Sequence, residues 1–464
     1  MDAVVVRERD DACPGVVDAS PADDGLIARV RLPGGRLVPA QLRELAVLAR
    51  RFGTGSVDLT ARANMQLRGL AEADLPALAD AIAAAGLMPS RSHDRVRNIL
   101  ASPLAGRDPS ALLDADAVLT AVDHALCAAP DLAALSGRFL IGIDDGGLPI
   151  ASSRHDLDLV ALTEHTLALH VAGHDTTLRL GPADAPAAIV HAARAFLTAR
   201  AHTGAWHIRE LPGGAAHFAA ALAAEPAPSE GSAPSRDHAP TTASAAPPRH
   251  RGGSRPPIGV LAQSDGRFAV GALVPLGRLT RHHLAALVGL RTELRITSAR
   301  GVVVRDVTDP AATVAALEAA GLPCDPASPW RGVTACSGLG ACRRALADVR
   351  SEAARHALGR SSPDATLVGT DRSGAPTMAP LPAGRRARDH RATGHPPADV
   401  PRAVDRADTH WVGCSRACGK PAGATLLVAR EDGTYETVPP GRAATPPPSV
   451  HPPVPGPPTP STPG

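Results

Sequence analysis

The sequence has few aromatic residues, almost no lysine and no long apolar run. Its 464 residues include three Trp, one Tyr, five Phe and a single Lys at position 420. Aromatic side chains usually dominate buried area, so Leu, Val, Ala and Ile must build the core here. No apolar run reaches the ~18 residues of a membrane span, and residues 1–15 lack the apolar stretch of a secretion signal. These absences predict a cytoplasmic protein without membrane contact.

Net charge and cysteine content further restrict the class of protein. The net charge of +2 provides no general attraction for nucleic acid. The seven cysteines of a chain in a reducing compartment favour metal or catalytic roles over a disulfide framework. Three Pro-rich or Gly-rich stretches lack an apolar period and are predicted to be unfolded: a linker at 225–256, an insertion at about 359–409 and a tail at 439–464.

The parts on either side of the linker carry matching landmarks in the same order. The first has Gly35-Arg36-Leu37, then 57–60 and 84–87; the second has Gly277-Arg278-Leu279, then 294–297 and 319–322. Each part is predicted as strand, helix, strand, strand, helix, which is close to half of a split βαβ sandwich. Gly86 and Gly321 are predicted at helix C′ positions. A larger α/β region is expected after each, with strands at 139–144 and 424–429 and helices at 191–203 and 343–356.

Four cysteines form the main chemical signal. Cys336 and Cys342 are spaced C-x5-C, and Cys414 and Cys418 are spaced C-x3-C. Four thiolates can hold a [4Fe–4S] cluster, and the small residues between them let the backbone approach it. Cys342 is predicted to open a helix whose N-terminus favours the negative charge of the cluster.

Two alternatives for these cysteines stay open. Structural zinc is disfavoured because zinc ribbons prefer two-residue gaps, and four ordinary buried cysteines are disfavoured by the flanking glycines. Of the remaining cysteines, Cys127 is expected in the core of a helical stretch, and Cys324 is expected to be structural.

With these residues the chain resembles the nitrite/sulfite reductase superfamily. The resemblance implies an α+β fold of two ferredoxin-like half-domains and two α/β domains related by an internal repeat. It implies that the four cysteines bind [4Fe–4S], with Cys418 as the candidate bridge to a sirohaem iron. The implied boundaries are 1–88 (first half-domain), 89–224 (first α/β domain), 225–256 (linker), 257–325 (second half-domain), 326–438 (cluster domain) and 439–464 (tail).

The resemblance also implies a tetrapyrrole site. Segments 59–69, 94–99 and 138–140 match those that contact the macrocycle in the family. The implied binding residues are Arg62, Asn64, Gln66, Arg68, Arg97, Asn98 and Arg138. Sirohaem and precorrins are rimmed with carboxylates, which guanidinium groups bind bidentately.

Several details resemble the precorrin-3B synthase branch more than the reductases. Leu140 replaces the second Lys of a Lys-Phe-Lys segment that supplies cations in sulfite reductases, and segments 12–15, 101–106 and 204–208 resemble that branch. The resemblance implies a monooxygenase that converts precorrin-3A to precorrin-3B with O2 in cobalamin biosynthesis. Implied cofactors are the [4Fe–4S] cluster and a separate mononuclear non-haem iron. NADH-derived electrons would arrive from a reductase or ferredoxin; the catalytic residues stay unassigned.

Two rival functions are retained. One is a sirohaem-dependent assimilatory sulfite or nitrite reductase, which the cysteines permit. The other is a non-catalytic electron-transfer module, which would keep the cysteines without the arginines.

Overall fold

The computed structural model describes residues 11–148, 150, 155–224, 257–359, 408–421 and 423–442. The predicted linker at 225–256, residues 360–407 of the predicted insertion and residues 443–464 of the predicted tail lie outside the described residues. Within the described ranges, no helix combines the length and the apolar character needed to cross a bilayer.

The first region alternates short strands with two helices. Its elements are β1 (Ser20–Ala22), β2 (Gly25–Val30), β3 (Arg36–Leu37), α1 (Pro39–Phe52), β4 (Val57–Leu59), β5 (Met65–Leu70) and α2 (Leu75–Ala84). Helix α1 buries Leu42, Leu45 and Leu48 on one face, as helical spacing requires. After α2, Gly86 takes a φ of +70°, and the Leu87 N–H donates to the Ile82 carbonyl at 3.1 Å. The predicted C′ glycine is confirmed.

The second region is a mixed sheet covered by helices. Its elements are β6 (Ile99–Ala101), α3 (Ala115–Ala128), β7 (Ile141–Asp144), β8 (Leu157–Thr163), β9 (Thr166–Val171), β10 (His174–Leu180), α4 (Ala185–Ala199) and α5 (Gly214–Ala224). Strands β6, β7 and β8 run parallel, and β9 and β10 continue the sheet antiparallel. Helix α4 begins six residues before the predicted start at His191, because Pro186 suits a helix N-terminus.

The third region has the same order of elements as the first. It contains β11 (Gly259–Ala262), β12 (Phe268–Ala272), β13 (Arg278–Leu279), α6 (Arg281–Gly289), β14 (Leu294–Ile296), β15 (Val302–Val307) and α7 (Pro310–Ala319). Gly321 follows with a φ of +83°, and the Leu322 N–H donates to the Leu317 carbonyl at 2.9 Å. This helix therefore ends in the same way as α2.

The fourth region carries the paired cysteines. It contains β16 (Val333–Ala335), α8 (Val349–Ala357), β17 (Thr409–Val412), β18 (Thr425–Ala429) and β19 (Tyr435–Val438). The expectation that Cys342 opens a helix is wrong, because α8 starts at Val349. The Asp348 side chain caps it by accepting from the Ser351 N–H at 3.2 Å. The glycine-rich residues before Asp348 form turns, with positive φ at Gly338 and Gly340.

The first and third regions complete each other's sheets. One sheet has the order β1-β2-β5-β4-β13, and the other has the order β11-β12-β15-β14-β3. Each two-residue strand thus joins the sheet of the opposite region, with Leu37 opposite Leu294 and Leu279 opposite Val57. One continuous apolar core is shared by both sheets. The two regions therefore fold as one unit.

A buried ion network fastens the third region to helix α3. The side chains of Arg295 and Arg305 are completely buried, and both pair with Asp116 of α3 and with Glu293. Arg305 also donates to the Ala105 carbonyl at 2.7 Å. A buried charge needs such compensation to be tolerated, so this network fixes how the two parts meet.

Candidate functional site

The sheet of the fourth region brings the two cysteine pairs together. Strand β16 leads directly into Cys336, and β17 leads through Gly413 to Cys414. The two strands are parallel neighbours, so both loops leave the same edge of the sheet. The Cys336 N–H donates to the Trp411 carbonyl at 2.9 Å, which fixes the start of the first loop. Pairs separated by some 70 residues thus become adjacent.

Small residues shape the backbone around the thiols. The Gly413 N–H donates to the Cys336 sulfur at 3.4 Å. A Cβ atom at Gly413 would lie 2.6 Å from the Ala345 Cβ, so no larger residue fits there without a shift. N–H groups aimed at cysteine sulfurs are one way in which proteins tune iron–sulfur clusters.

The four thiols influence one another electrostatically. Burial raises the pKa of Cys336, and repulsion from Cys342 and Cys414 raises it further. Burial also raises the pKa of Cys418; Arg416 opposes that shift, and the other three cysteines add to it. As thiolates the four would repel each other, and a positively charged iron core relieves that repulsion.

The donor set fits an iron–sulfur cluster. All seven cysteines are free thiols in the described residues. Within those residues, no three His, Cys, Asp or Glu side chains are gathered to hold a single metal ion. In a [4Fe–4S] cluster each thiolate binds its own iron, so the four cysteines can stand further apart than the ligands of one ion.

His410 of β17 supports the second cysteine loop. The sequence pattern did not predict this role. Its Nε2 donates to the Cys418 carbonyl at 3.0 Å, and its Nδ1 lies 2.8 Å from the Thr334 hydroxyl. Burial, followed by the charge of Arg300, lowers the pKa of His410 to about 4, so the ring is neutral at physiological pH. A lone histidine in a strand gives no sequence signal for this role.

A second site lies where β2, β5 and the turn before β7 meet. It is formed by four guanidinium groups, here called the arginine cluster: Arg29, Arg31, Arg62 and Arg138. Burial lowers the pKa of Arg62; the nearby Cys13 thiol opposes this shift, and the charges of Arg29 and Arg138 add to it. Like charges are thus gathered without a full set of counter-charges.

Arg31 is the most unusual member of this cluster. It is only 2% exposed, and its Nε donates to the Arg95 carbonyl at 3.1 Å. Its Nη1 and Nη2 atoms have no hydrogen-bond partner within the described chain, and neither has the Nε of Arg29. Burial, with repulsion from Arg29, lowers the pKa of Arg31 to about 9, which still leaves it charged at pH 7. Cys13 and Asp94 oppose this shift, but two buried guanidinium nitrogens without acceptors point to an anionic ligand.

Arg29 and Arg31 are not among the binding residues predicted from the sequence. Arg29 lies on β2 opposite Gln66 of β5 in the sheet register, and Arg31 directly follows the end of β2. The Arg29 Nη2 donates to the Gln66 Oε1 at 3.1 Å. An Arg-x-Arg pattern at the end of a predicted strand is the sequence signal that would have indicated them.

Arg62 and Arg138 are predicted residues within the arginine cluster, and the predicted residues Asn64 and Asn98 lie beneath it. Arg138 stacks over the Trp206 ring at 4.9 Å. The Asn64 side chain accepts from the Leu32 N–H at 2.8 Å and donates to Asn98 at 3.2 Å. Asn98 in turn donates to the Gly137 carbonyl, which also accepts from Arg62. The two buried asparagines therefore hold the backbone that positions Arg62.

The structure does not bring Arg68 and Arg97 into this cluster. Arg97 makes a bidentate ion pair with Asp123 of α3, at 2.8 and 2.6 Å, and donates to the Leu87 carbonyl. Arg68 pairs with Asp24 and reaches the cysteine loop at Ser337 and Ala341. Both guanidinium groups are already occupied by protein partners.

Comparison with known proteins gives a consistent class. The nitrite/sulfite reductase ferredoxin-like half domain matches residues 20–85. A structure of the NirA protein of Mycobacterium tuberculosis superposes with a TM-score of 0.61 at 20% identity, covering 89% of this chain and 73% of that chain. The chain thus contains a match to the nitrite/sulfite reductase ferredoxin-like half domain and shares the fold of the NirA structure.

Two relatives are similar to this chain over different lengths. Ferredoxin–nitrite reductase of Synechococcus elongatus is 29% identical over 431 residues, which cover 85% of this chain and 74% of that protein. Precorrin-3B synthase of a Sinorhizobium species is 36% identical over 143 residues, which cover 31% of this chain and 30% of that protein. The chain is thus similar to a reductase over most of its length and to precorrin-3B synthase over a shorter part.

Proposed function

We propose that this chain is an oxidoreductase that binds a carboxylate-rimmed tetrapyrrole at the arginine cluster and holds a [4Fe–4S] cluster on Cys336, Cys342, Cys414 and Cys418. One observation carries the proposal. The two terminal nitrogens of Arg31 are buried and have no partner among the described residues, in a chain that also brings both cysteine pairs to one edge of a sheet. A tetrapyrrole carboxylate would supply the missing acceptors.

The arginines and asparagines would bind and orient the ligand. Arg31 would donate to one carboxylate in the buried part of the site, and Arg62 and Arg138 would donate to others nearer to solvent. Asn64 and Asn98 fix the Gly137 carbonyl and thereby the position of Arg62. When bound, the iron–sulfur cluster supplies single electrons.

We infer precorrin-3B synthase-like activity as the specific reaction, with precorrin-3A and O2 as substrates. The similarity to precorrin-3B synthase supports it. Leu140 also supports it, because this side chain is 2% exposed in the apolar core and offers no cation for an inorganic oxyanion. The reaction needs NADH-derived electrons from a reductase or ferredoxin, and a mononuclear iron remains part of the proposal without assigned ligands.

Sirohaem-dependent nitrite or sulfite reduction is the second candidate. The similarity to ferredoxin–nitrite reductase extends over a much longer part of the chain. In that function sirohaem would occupy the arginine cluster as a resident cofactor, with Cys418 as its bridge to the iron–sulfur cluster.

The domain organisation is part of the proposal. We infer half-domains at 1–88 and 257–325 and α/β domains at 89–224 and 326–438, related by an internal repeat. The corresponding strand orders of the two half-domain sheets support the repeat. The reciprocal exchange of β3 and β13 supports it as well.

The test uses protein purified anaerobically with its iron retained. Iron quantitation and EPR spectra report the cluster, and a titration with precorrin-3A reports tetrapyrrole binding. The Arg62→Ala variant should keep the cluster signal and bind precorrin-3A at least about tenfold more weakly, as expected for one lost charged hydrogen-bond set. Arg194→Gln, at an exposed ion pair on α4, is the matched control.

The outcomes separate the candidates. Conversion of precorrin-3A with O2 supports the synthase. Strong sirohaem bands with viologen-driven nitrite or sulfite reduction would replace it by the reductase. An unchanged precorrin-3A affinity in Arg62→Ala would refute the assignment of the binding site.

A further inference from the structure

Cys13 lies at the arginine cluster, in a rigid setting. Its backbone N–H donates to the Asp11 Oδ1 at 2.9 Å. Asp11 is itself anchored, because its Oδ2 accepts from the Ser136 hydroxyl and from the Gly137 N–H, both at 2.8 Å. The Cys13 side chain is half-buried and forms no disulfide. Its position is therefore fixed by the turn that also positions Arg62.

The thiol touches the wall of the arginine cluster. A Cβ atom at Gly137 would lie 3.1 Å from the Cys13 Cβ, so the thiol-bearing carbon packs directly on that peptide. The Gly137 carbonyl accepts from the Arg62 Nη1 at 3.1 Å. Apart from burial, Cys13 has the largest effect on the pKa of Arg29 and of Arg62, and it raises both. The sulfur thus stands among these guanidinium groups.

A second, independent observation points to a ligand at this place. Arg31 is 98% buried, its two terminal nitrogens have no partner in the described residues, and Cys13 also raises its pKa. The Arg95 carbonyl that accepts from the Arg31 Nε would lie 3.3 Å from a Cβ atom at Gly137, beside the Cys13 Cβ, so Arg31 and the thiol line the same site. Partly exposed cysteines in electropositive surroundings are the reactive ones.

We propose that Cys13 is a reactive thiol that opens onto the arginine cluster and is modified preferentially by electrophiles that carry a carboxylate. The other two cysteines outside the four-thiol group differ from it. Cys324 is buried, which raises its pKa to about 12, and burial raises the pKa of Cys127 on α3. Neither lies among unpartnered guanidinium groups.

The proposed modification can be followed with iodoacetate. The Cys13 sulfur forms a bond to the methylene carbon, the carbon–iodine bond breaks, iodide leaves, and the thiol proton passes to water. The carboxylate of the reagent is held by the arginine cluster during attack, which raises its local concentration. Neutral iodoacetamide undergoes the same substitution without that attraction.

The experiment compares the two reagents on anaerobically purified protein with its iron retained. Mass spectrometry of the peptide that contains Cys13 gives the rate of each reaction, and glutathione in the same buffer gives the intrinsic ratio of the reagents. We expect the iodoacetate-to-iodoacetamide ratio at Cys13 to exceed that of glutathione by about tenfold, a modest value for electrostatic focusing. In about 1 M salt, where the screening length falls to about 3 Å, most of the excess should vanish.

Two variants test whether Arg31 causes the preference for iodoacetate at Cys13. Arg31→Gln should lower the iodoacetate-to-iodoacetamide ratio at Cys13 severalfold, whereas Arg194→Gln should not change that ratio. Equal ratios at Cys13 and in glutathione, or an unreactive Cys13, overturn the proposal. The salt test on the unmodified chain keeps it falsifiable if Arg31→Gln does not fold. Because the labelling needs neither a tetrapyrrole nor turnover, failure of the proposed function would leave this result intact.

Discussion

The Nη2 atom of Arg68 donates a 2.7 Å hydrogen bond to the carbonyl of Ala341, the residue before Cys342. Arg68 lies on β5 of the first region and is fixed there by two hydrogen bonds to Asp24, at 2.9 and 2.8 Å. Its Nη1 also donates to the Ser337 hydroxyl. A single buried side chain thus ties the first half-domain sheet to the loop that carries Cys336 and Cys342.

Replacing Arg68 by Gln should loosen that loop. The change removes an ion pair and two contacts to the loop, and it should lower the free energy of unfolding by roughly 2 kcal/mol. The variant should contain less iron than the unmodified chain, or should lose its iron severalfold faster in air. Iron quantitation over time measures both. Arg179→Gln, which removes an exposed ion pair to Asp175, should change neither. Stable iron in Arg68→Gln would contradict a supporting role for this residue.

Cys418→Ser should abolish the iron–sulfur EPR signal. A serine hydroxyl at this position is a poor substitute for a thiolate ligand. The control is Cys324→Ala, because Cys324 is equally a free thiol but is buried away from the four-thiol group. That variant should keep the full signal. Retention of a normal signal in Cys418→Ser would remove this residue from the ligand set.

Arg97→Gln should reduce stability without reducing tetrapyrrole affinity. Its ion pair with Asp123 is nearly buried, with side-chain exposures of 6% and 14%. Removing one partner leaves a poorly solvated carboxylate, and the loss should be roughly 3 kcal/mol in denaturant titration. The precorrin-3A affinity of the folded protein should stay within twofold. A large loss of affinity at unchanged stability would restore Arg97 to the binding site.

Asp145 should make the protein less stable as pH rises from about 4 to about 7. This carboxyl group is fully buried after β7, and its Oδ2 has no partner among the described residues. Burial raises its pKa from 3.8 to about 7, and the charges of Asp144 and Asp108 contribute to the rise. The folded state therefore keeps a proton that the unfolded chain has already released.

The isosteric change Asp145→Asn should remove this pH-dependent loss. At about pH 8 the variant should gain stability over the unmodified chain, at most about 4 kcal/mol at 1.4 kcal/mol per pKa unit. Near pH 4 the two should differ little. Thermal unfolding at both pH values measures the effect, and an equal difference at both would exclude titration of Asp145 as its cause.

The helix and strand pattern was largely accessible from the sequence. The landmarks at 57–60 and 294–297 predicted β4 and β14, and Gly86 and Gly321 predicted two helix ends, because these signals are local. The helix predicted from Arg343 failed for a local reason as well. The glycines at 338 and 340 adopt turns, and the capping residue Asp348 sets the start of α8 further on.

For the candidate site, the sequence predicted fewer of the residues than it did for the helices and strands. The sequence by itself predicted the four-cysteine set, because the spacing and the small neighbours are local features of the chain, and it predicted Arg62 and Arg138. Only the tertiary structure decided the rest. It paired Arg97 with Asp123 and Arg68 with Asp24, and it left the two terminal nitrogens of Arg31 buried without partners among the described residues. The role of a guanidinium depends on which carboxylates folding brings within reach, and that distance is set by packing between segments far apart in the chain.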